Sequence, residues 1–207
     1  MQQSWRKDGD KLTFIIATDG DAQEEEVLIG DVNVFLSLSD PECAEEGCDA
    51  AAGSESRSLI TKSTEAEVVV GEVEIMIAEE TRRGKGNGKV VLAGLLRYLV
   101  GCEKQLLSEF GEWTFGGQNG GTSSGKEQEI VGKMERAEWE GDQACAVSRL
   151  RLGYLRARIR YENLASRGLF EGMGFLQVGE TNYFGEVELR LGAERLRERY
   201  GMDTLRS

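Results

Sequence analysis

Residues 68–100 read VVVGEVEIMIAEETRRGKGNGKVVLAGLLRYLV, and this stretch decides the fold. In residues 68–78 the odd positions form an unbroken apolar or small face, while Glu72 and Glu74 stand at even positions. This alternation predicts a strand with one face in the core and the other toward a cleft, a partner or solvent. Apolar residues then recur at helical spacing, at Leu92, Leu95, Leu96, Leu99 and Val100. A strand, a glycine-rich turn and an amphipathic helix are therefore predicted.

A glycine-rich turn that opens a helix can bind phosphate, because its free amides and the helix dipole face the anion. The spacing of a P-loop fails here, since its first glycine would stand at Arg83 and its Ser/Thr at Val90. The dinucleotide fingerprint fails as well, since its third glycine would stand at Lys89. The pattern that fits is R-x-x-G-x-G over residues 83–88, although a plain structural turn would also explain six residues.

This hexapeptide resembles the acetyl-CoA-binding motif of GNAT acetyltransferases. A second pattern from Asn163 to Phe175, N-x-x-S-x-x-L-F-x-x-x-G-F, resembles the signature that follows the fifth strand in the same superfamily. An Asn-capped helix ending at a glycine would explain those residues equally well. Because two separate patterns occur in the right order, we favour the resemblance over two coincidences.

The resemblance is closer still to the eukaryotic N-acetyltransferase-nine-like group, through residues 30–36, 71–79 and 186–191. It covers Met1 to about Ser108 and Leu152 to Leu191. It implies an α+β GNAT fold with a mixed, mainly antiparallel central sheet and flanking helices. That group normally begins with a further strand and one or two helices, and we expect these N-terminal elements to be absent here.

The resemblance also implies where acetyl-CoA binds as co-substrate. The turn amides would hold its pyrophosphate, at Arg83, Gly84, Lys85, Gly86, Asn87, Gly88 and Lys89. The backbone of Met76, Ile77 and Ala78 would bind the pantetheine arm as a false strand, and Asn163 would touch the same arm. A bound amine would then attack the thioester directly, in a ternary complex.

The sequence contains no histidine, which excludes every His-based general base. Glu72 and Glu74 are therefore the candidate catalytic bases, acting directly or through water. The alternative for both is a solvated polar face, or ion pairs with Arg158 or Arg160. The superfamily often has a tyrosine where Phe170 stands, so the departing thiolate would take its proton from another group. Tyr183, Tyr161 and water are the candidates for that proton donor.

The remaining chain predicts one acetyltransferase domain over residues 1–207. Strands are expected at 12–17, 27–36, 152–161, 175–178 and 185–191, with a helix at 163–173. An acidic loop is predicted over 39–66 and a low-complexity insertion over 108–143. Residues 192–207 are predicted to hold a charged, peripheral helix.

Net charge, apolar content and cysteine spacing limit the classes of partner and the locations that we expect. A net charge of -12 argues against a nucleic-acid partner, and no apolar run approaches the ~18 residues of a membrane span. The N-terminus lacks a signal-peptide core, and four scattered cysteines without a CxxC pair predict no metal site. We therefore expect a cytoplasmic or nuclear enzyme that acetylates an amine, on a protein N-terminus or a lysine. A non-catalytic GNAT-like scaffold and a nucleotide-binding protein are the alternatives, and oligomeric state is not predicted.

Overall fold

The computed structural model describes residues 8–18, 27–39, 66–116 and 149–201. Three strands come first, namely β1 (Lys11–Thr18), β2 (Val27–Leu38) and β3 (Val68–Ile77). A 3-10 turn, Glu80–Arg82, leads into the long helix α1 (Asn87–Gly116). The second half contains β4 (Arg151–Arg160), α2 (Leu164–Gly172), β5 (Leu176–Val178), β6 (Glu186–Gly192) and α3 (Ala193–Tyr200). The predicted order of strands and helices is confirmed in the described part of the chain.

The described strands form one six-stranded sheet in the order β1-β2-β3-β4-β6-β5. Every neighbouring pair is antiparallel except β3 and β4, which run parallel. The predicted mixed, mainly antiparallel sheet is therefore confirmed. Within the described residues β1 and β5 are its two edges; the expected absence of preceding elements stays a prediction.

The parallel ladder between β3 and β4 is short and irregular. Its register shifts between Val69 and Val70, where Gly153 is an extra residue in β4. A Cβ atom on Gly153 would lie 2.3 Å from Cγ1 of Val68, so only glycine fits at this bulge. The last pair in the ladder is Glu72 with Arg156, after which the two strands pair only with their outer neighbours. The two strands therefore diverge beyond this pair.

All three helices pack against the same face of the sheet. The predicted leucines of α1 are buried there, at Leu92, Leu95, Leu96 and Leu99. Burying one such side chain stabilises a fold by roughly 1.5–3 kcal/mol, so this stripe anchors α1 to the sheet. We call the opposite side of the sheet the open face; it carries Glu72, Glu74, Arg156, Arg158, Glu188 and Arg190. No described helix packs on it.

Two predictions about the helices are corrected. Helix α1 continues to Gly116, so residues 108–116 belong to it rather than to an insertion, and Phe110 is buried in the core. Helix α3 is not peripheral, because Leu196 is fully buried and Arg197 donates two hydrogen bonds to Glu103 of α1.

The acidic loop and the insertion lie largely outside the described residues, which leave out 40–65, 117–148 and 202–207. None of the helices within the described ranges is both long and apolar enough to span a bilayer.

Candidate active site

A cleft of about 520 Å³ opens where β3 and β4 diverge. Its walls are the end of β3, the glycine-rich turn, the start of α1 and the start of α2. The lining residues are Ile75, Met76, Ile77, Arg82, Arg83, Gly84, Gly86, Gly88, Lys89, Asn163, Ala165, Ser166 and Leu169. The two sequence patterns, about 80 residues apart in the chain, thus meet in one cavity.

The turn presents a row of free main-chain donors. Gly84 and Gly86 have φ angles of 70° and 88°, a region that side chains rarely adopt, which explains why glycine stands at both positions. The amides of residues 84–88 have no acceptor among the described residues. Successive amides in such a turn form a concave anion site. The turn can therefore receive a diphosphate without first breaking its own hydrogen bonds.

The side chains of Arg83 and Asn87 donate hydrogen bonds to nearby carbonyls and leave the amides of the turn free. Arg83 donates from Nε to the carbonyl of Ile77 at 2.8 Å and from Nη2 to that of Ala78 at 3.0 Å. Asn87 donates from Nδ2 to the carbonyl of Arg82 at 2.9 Å. These bonds fix the turn against the end of β3 and leave its amides exposed.

The local charge also favours an anion. Residues 82–89 contain four cations and no carboxylate, in a chain whose net charge is -12. The first turn of α1 contains no acidic residue. Because the N-terminus of a helix carries a partial positive charge, an anion placed here is stabilised by the dipole and by the cations.

The main-chain groups of β3 alternate between the two edges of the strand. Val68 and Ala78 bond to the β2 side, through Ser39 and Ile29 respectively. Since backbone groups in a strand alternate in direction, the amides and carbonyls of Ile75 and Ile77 point the other way, toward the cleft, where the carbonyl of Ile77 already accepts from Arg83. The amide and the carbonyl of Ala78 are both engaged by protein groups, and its assignment to the coenzyme stays a prediction. Met76 lines the cleft, while its main chain pairs with Asp31 of β2.

Asn163 lies at the opposite wall, where α2 begins. Its Oδ1 accepts a hydrogen bond from the amide of Ser166 at 3.1 Å, so it caps the helix as well as lining the cleft. On the same wall Leu169 approaches Gly88 closely, and a Cβ atom on Gly88 would lie 3.2 Å from Cδ2 of Leu169. Gly88 therefore lets α1 and α2 pack tightly at the base of the cleft.

The two candidate bases lie on the open face in different surroundings. Glu72 accepts hydrogen bonds from Arg156 (Nε, 3.1 Å) and Arg158 (Nε, 3.1 Å, and Nη2, 2.6 Å). Burial raises the pKa of Glu72, but the hydrogen bond from Arg158 and the charges of both arginines outweigh it and lower the pKa overall. Glu74 is exposed and bonds to none of the described side chains. Of the two candidate bases, only Glu74 therefore has a carboxylate without an arginine partner among the described residues.

The candidate proton donors are also separated by their surroundings. Phe170 is buried and packs edge-on against Phe175, with ring centroids 5.1 Å apart. Tyr161, at the end of β4, is half exposed beneath the guanidinium of Arg167. Tyr183 is 97% exposed at the tip of the β5–β6 hairpin, beside the exposed Phe184. Both tyrosine side chains are therefore at least half exposed.

The structure brings most predicted coenzyme-binding residues together. Those that line the cleft are Met76, Ile77, Arg83, Gly84, Gly86, Gly88, Lys89 and Asn163. Ala78, Lys85 and Asn87 do not line it, although the amides of Lys85 and Asn87 belong to the free row. The sequence analysis missed Ile75, Arg82 and Ala165 as lining residues. Ser166 and Leu169 were quoted within the second pattern but not assigned to the site.

The described residues contain no cluster of Cys, Asp and Glu able to hold a metal ion.

Comparison with known proteins identifies the family. No family model matches the chain. An N-acetyltransferase 9-like protein of Schizosaccharomyces pombe is 30% identical over 204 residues, covering 92% of this chain and 74% of the relative. This chain belongs to the N-acetyltransferase 9-like family. A family member from Caenorhabditis briggsae is 27% identical over 202 residues, covering 97% of this chain and 67% of the relative.

A human relative matches a shorter part of the chain. The alpha/beta-tubulin-N-acetyltransferase 9 of Homo sapiens is 35% identical over 108 residues, 48% of this chain and 39% of that protein. Among solved structures, aminoglycoside acetyltransferase AAC(6')-Ib with coenzyme A is similar at a TM-score of 0.44 and 14% identity, covering 95% and 73% of the two chains. Mycobacterium smegmatis RimJ with CoA-disulfide has a TM-score of 0.44 at 16% identity, covering 96% and 62%.

Membership of the N-acetyltransferase 9-like family confirms several predictions. The predicted family and the α+β fold with a mixed, mainly antiparallel sheet are confirmed, as is the class of enzyme, an acetyl-CoA-dependent N-acetyltransferase. The reaction transfers the acetyl group of acetyl-CoA, the co-substrate, to an amine. The assignment of single residues to coenzyme binding and to catalysis stays a prediction, and so does a cytoplasmic location.

Proposed function

We propose that this N-acetyltransferase 9-like chain acetylates the amine of a polypeptide by direct attack on acetyl-CoA, with the coenzyme in the cleft between β3 and β4. The observation that supports this placement most is the row of free amides at residues 84–88, next to a strand edge that also has free main-chain groups. Both features suit a ligand with a diphosphate at one end and amide bonds along its arm.

Each wall of the cleft has a part in this proposal. The turn amides, with Arg82 and Lys89 nearby, bind the diphosphate. The amides of Ile75 and Ile77 and the carbonyl of Ile75 exchange hydrogen bonds with the amide groups of the pantetheine arm, and Asn163 contacts the arm from the opposite wall. A strand amide left free at this edge then donates to the acetyl oxygen, where negative charge develops during attack.

The chemistry itself is an exchange of one bond for another. The nitrogen of the neutral amine attacks the thioester carbon, a C–N bond forms, the C–S bond breaks and coenzyme A leaves as the thiolate. We assign Glu74 as the base that receives the proton of the amine through water, since Glu72 is engaged by two arginines. The thiolate takes a proton from Tyr161, Tyr183 or water.

Two observations support a polypeptide as acceptor. Relatives from Drosophila melanogaster and Homo sapiens are named alpha/beta-tubulin-N-acetyltransferase 9, so α- and β-tubulin are the first acceptors to test. The exposed pair Tyr183 and Phe184 projects from the hairpin that follows α2, and the amide of Tyr161 bonds to Gly185 in that hairpin at 2.8 Å. Paired aromatic side chains beside a cleft provide an apolar surface for a peptide.

Titration calorimetry with acetyl-CoA tests the placement of the coenzyme. We expect the wild type to bind and Gly86→Glu to lose binding, because the substitution strains a φ of 88° and puts a carboxylate where the diphosphate lies. Gly101→Glu is the matched control, since it adds the same charge at an exposed position of α1 with no atom within 4 Å of its Cβ. Unchanged binding by Gly86→Glu would contradict the placement. No heat and no thermal shift with the wild type would favour the scaffold alternative.

The acceptor is tested with labelled acetyl-CoA and a peptide library. The library contains the N-termini of α- and β-tubulin, the same peptides with blocked N-termini, and lysine-bearing internal peptides. Label in the free N-terminal peptides alone indicates N-terminal acetylation, and label in blocked peptides indicates lysine acetylation. Label in a small polyamine but in no peptide would contradict a polypeptide acceptor.

A further inference from the structure

The point where β3 and β4 separate lies three residues before Ile75, the first residue of β3 that lines the cleft, and we call it the inner end of the cleft. Glu72 and Arg156 are the last residues that pair across the two strands. One residue further, Val73 pairs with Val34 of β2 and Ala157 pairs with Leu189 of β6. No main-chain ladder joins the two strands beyond this point, so side chains must fix how they diverge.

Glu72 joins the two strands at this point. Its carboxylate bonds to Arg156 directly opposite and to Arg158 two residues further along β4, past the end of the ladder. The closest contact between Glu72 and Arg156 charges is 3.0 Å, and the side chain of Glu72 is only 19% exposed. A forked arginine on a carboxylate makes strong hydrogen bonds of defined direction. Arg156 and Arg158 stand two residues apart on β4, so their contacts with Glu72 restrict both the separation and the twist of the two strands.

We propose that Glu72 is a positioning residue, whose ion pairs with Arg156 and Arg158 hold β3 and β4 at the inner end of the cleft. This inference rests on the proposed function, because it gives the cleft to the coenzyme. It replaces the role of catalytic base that the sequence suggested for Glu72. Arg156 and Arg158 donate to both carboxylate oxygens of Glu72, and these charge-assisted bonds stabilise its ionised form, which makes it the weaker base of the two candidates.

The consequence for binding follows from the two walls. Ile75 and Ile77 lie on the β3 wall, whereas Asn163 follows the end of β4 on the other wall. A ligand that contacts both walls binds tightly only when their spacing is fixed beforehand. Loss of the ion pairs should therefore weaken binding of coenzyme A and leave the chemical step, which Glu74 would assist, almost unchanged.

Glu72→Gln tests the role, and Glu103→Gln is its matched control. Glu103 is likewise a mostly buried carboxylate that accepts two hydrogen bonds from a forked arginine, Arg197, but it joins α1 to α3 and does not line the cleft. We expect Glu72→Gln to raise the Kd for coenzyme A, measured by calorimetry, by about tenfold, the scale of one charge-assisted hydrogen bond. Its kcat should stay within about threefold, with the pH profile of kcat unchanged, and Glu103→Gln should match the wild type.

A second, milder variant distinguishes a loss of the ion pair from a general folding defect. Arg158→Lys keeps the charge and removes the forked contact, and we expect it to raise the same Kd by about threefold. In the double variant Glu72→Gln/Arg158→Lys the effects should not add, because both substitutions remove one interaction.

The outcomes separate this inference from the proposed function. A kcat for Glu72→Gln that falls about a hundredfold with altered pH dependence and unchanged Kd makes Glu72 the base and overturns the inference. Equal Kd values for the wild type, Glu72→Gln and Glu103→Gln overturn the inference while the placement of coenzyme stands. A wild type that binds no coenzyme A overturns both.

Discussion

The two ends of the cleft differ in whether their charged and polar groups already have partners. We call the glycine-rich turn, residues 82–89, the outer end. At the outer end, residues 82–89 carry four cations, and the amides at 84–88 have no protein acceptor among the described residues. At the inner end, the carboxylate of Glu72 is already satisfied by Arg156 and Arg158. Unsatisfied donors bind an external anion, whereas a satisfied ion pair stabilises its own surroundings. One end of the cleft can therefore bind an anionic ligand, whereas the ion pairs at the other end stabilise the positions of the strands.

The largest expected effect tests whether the inner end contains a base at all. We expect Glu74→Gln to lower kcat about a hundredfold and to leave the Kd for acetyl-CoA unchanged, because the amide cannot accept the proton of the amine. Steady-state kinetics and calorimetry on the same preparation measure both quantities. Glu198→Gln, an exposed position on α3, removes one carboxylate elsewhere and should have no effect. A kcat that survives Glu74→Gln would leave proton removal to bulk water.

A smaller effect tests whether shape or charge matters more at the outer end. Arg83→Met removes the hydrogen bonds to the carbonyls of Ile77 and Ala78, and we expect the Kd for acetyl-CoA to rise about tenfold. Arg82→Met removes a neighbouring cation that makes neither bond, and about threefold is expected. Calorimetry at two salt concentrations separates the screened part of each loss. Equal losses for the two variants would show that the turn acts through charge alone.

The smallest effect concerns the stability of the inner end in acid. The lowered pKa of Glu72 means that its ion pairs stabilise the fold above the ordinary carboxyl pKa of 4.5, and that this contribution is lost as the pH falls through the lower native pKa. The Tm of the wild type should therefore fall more steeply than that of Glu72→Gln as the pH drops below about 4.5. Parallel Tm curves would indicate that the arginines do not stabilise the charged form.

The outer end could be predicted from the sequence, because a turn and the helix after it require particular residue types at positions close together in the chain. Gly84 and Gly86 lie in the glycine-rich turn that the sequence predicts, where their positive φ angles favour glycine, and the leucine stripe of α1 is buried as its helical spacing requires. The inner end was less predictable. Of the two arginines on Glu72, only Arg158 had been considered, because the partner of a β-strand side chain depends on register with a strand about 80 residues away.

The helix errors have a different physical cause. The many charges of helix α3 predict a peripheral helix, yet Ala193, Leu196 and Tyr200 follow a helical spacing and form its buried stripe. For helix α1, the glycine-rich stretch that follows it predicts an end before Phe110, whereas the helix continues to Gly116. In both cases a few apolar positions, rather than the average composition, decided the burial.

The extra residue Gly153 has a consequence for the whole of β4. If Gly153 paired with Val70 instead of standing unpaired, Glu72 would lie opposite Leu155, and the alternating arginines of β4 would turn toward the apolar layer beneath α1. The bulge takes up one residue between Leu152 and Tyr154, so that beyond it leucine again points inward and arginine outward. One unpaired residue thus aligns the two sides of β4 with the two faces of the sheet.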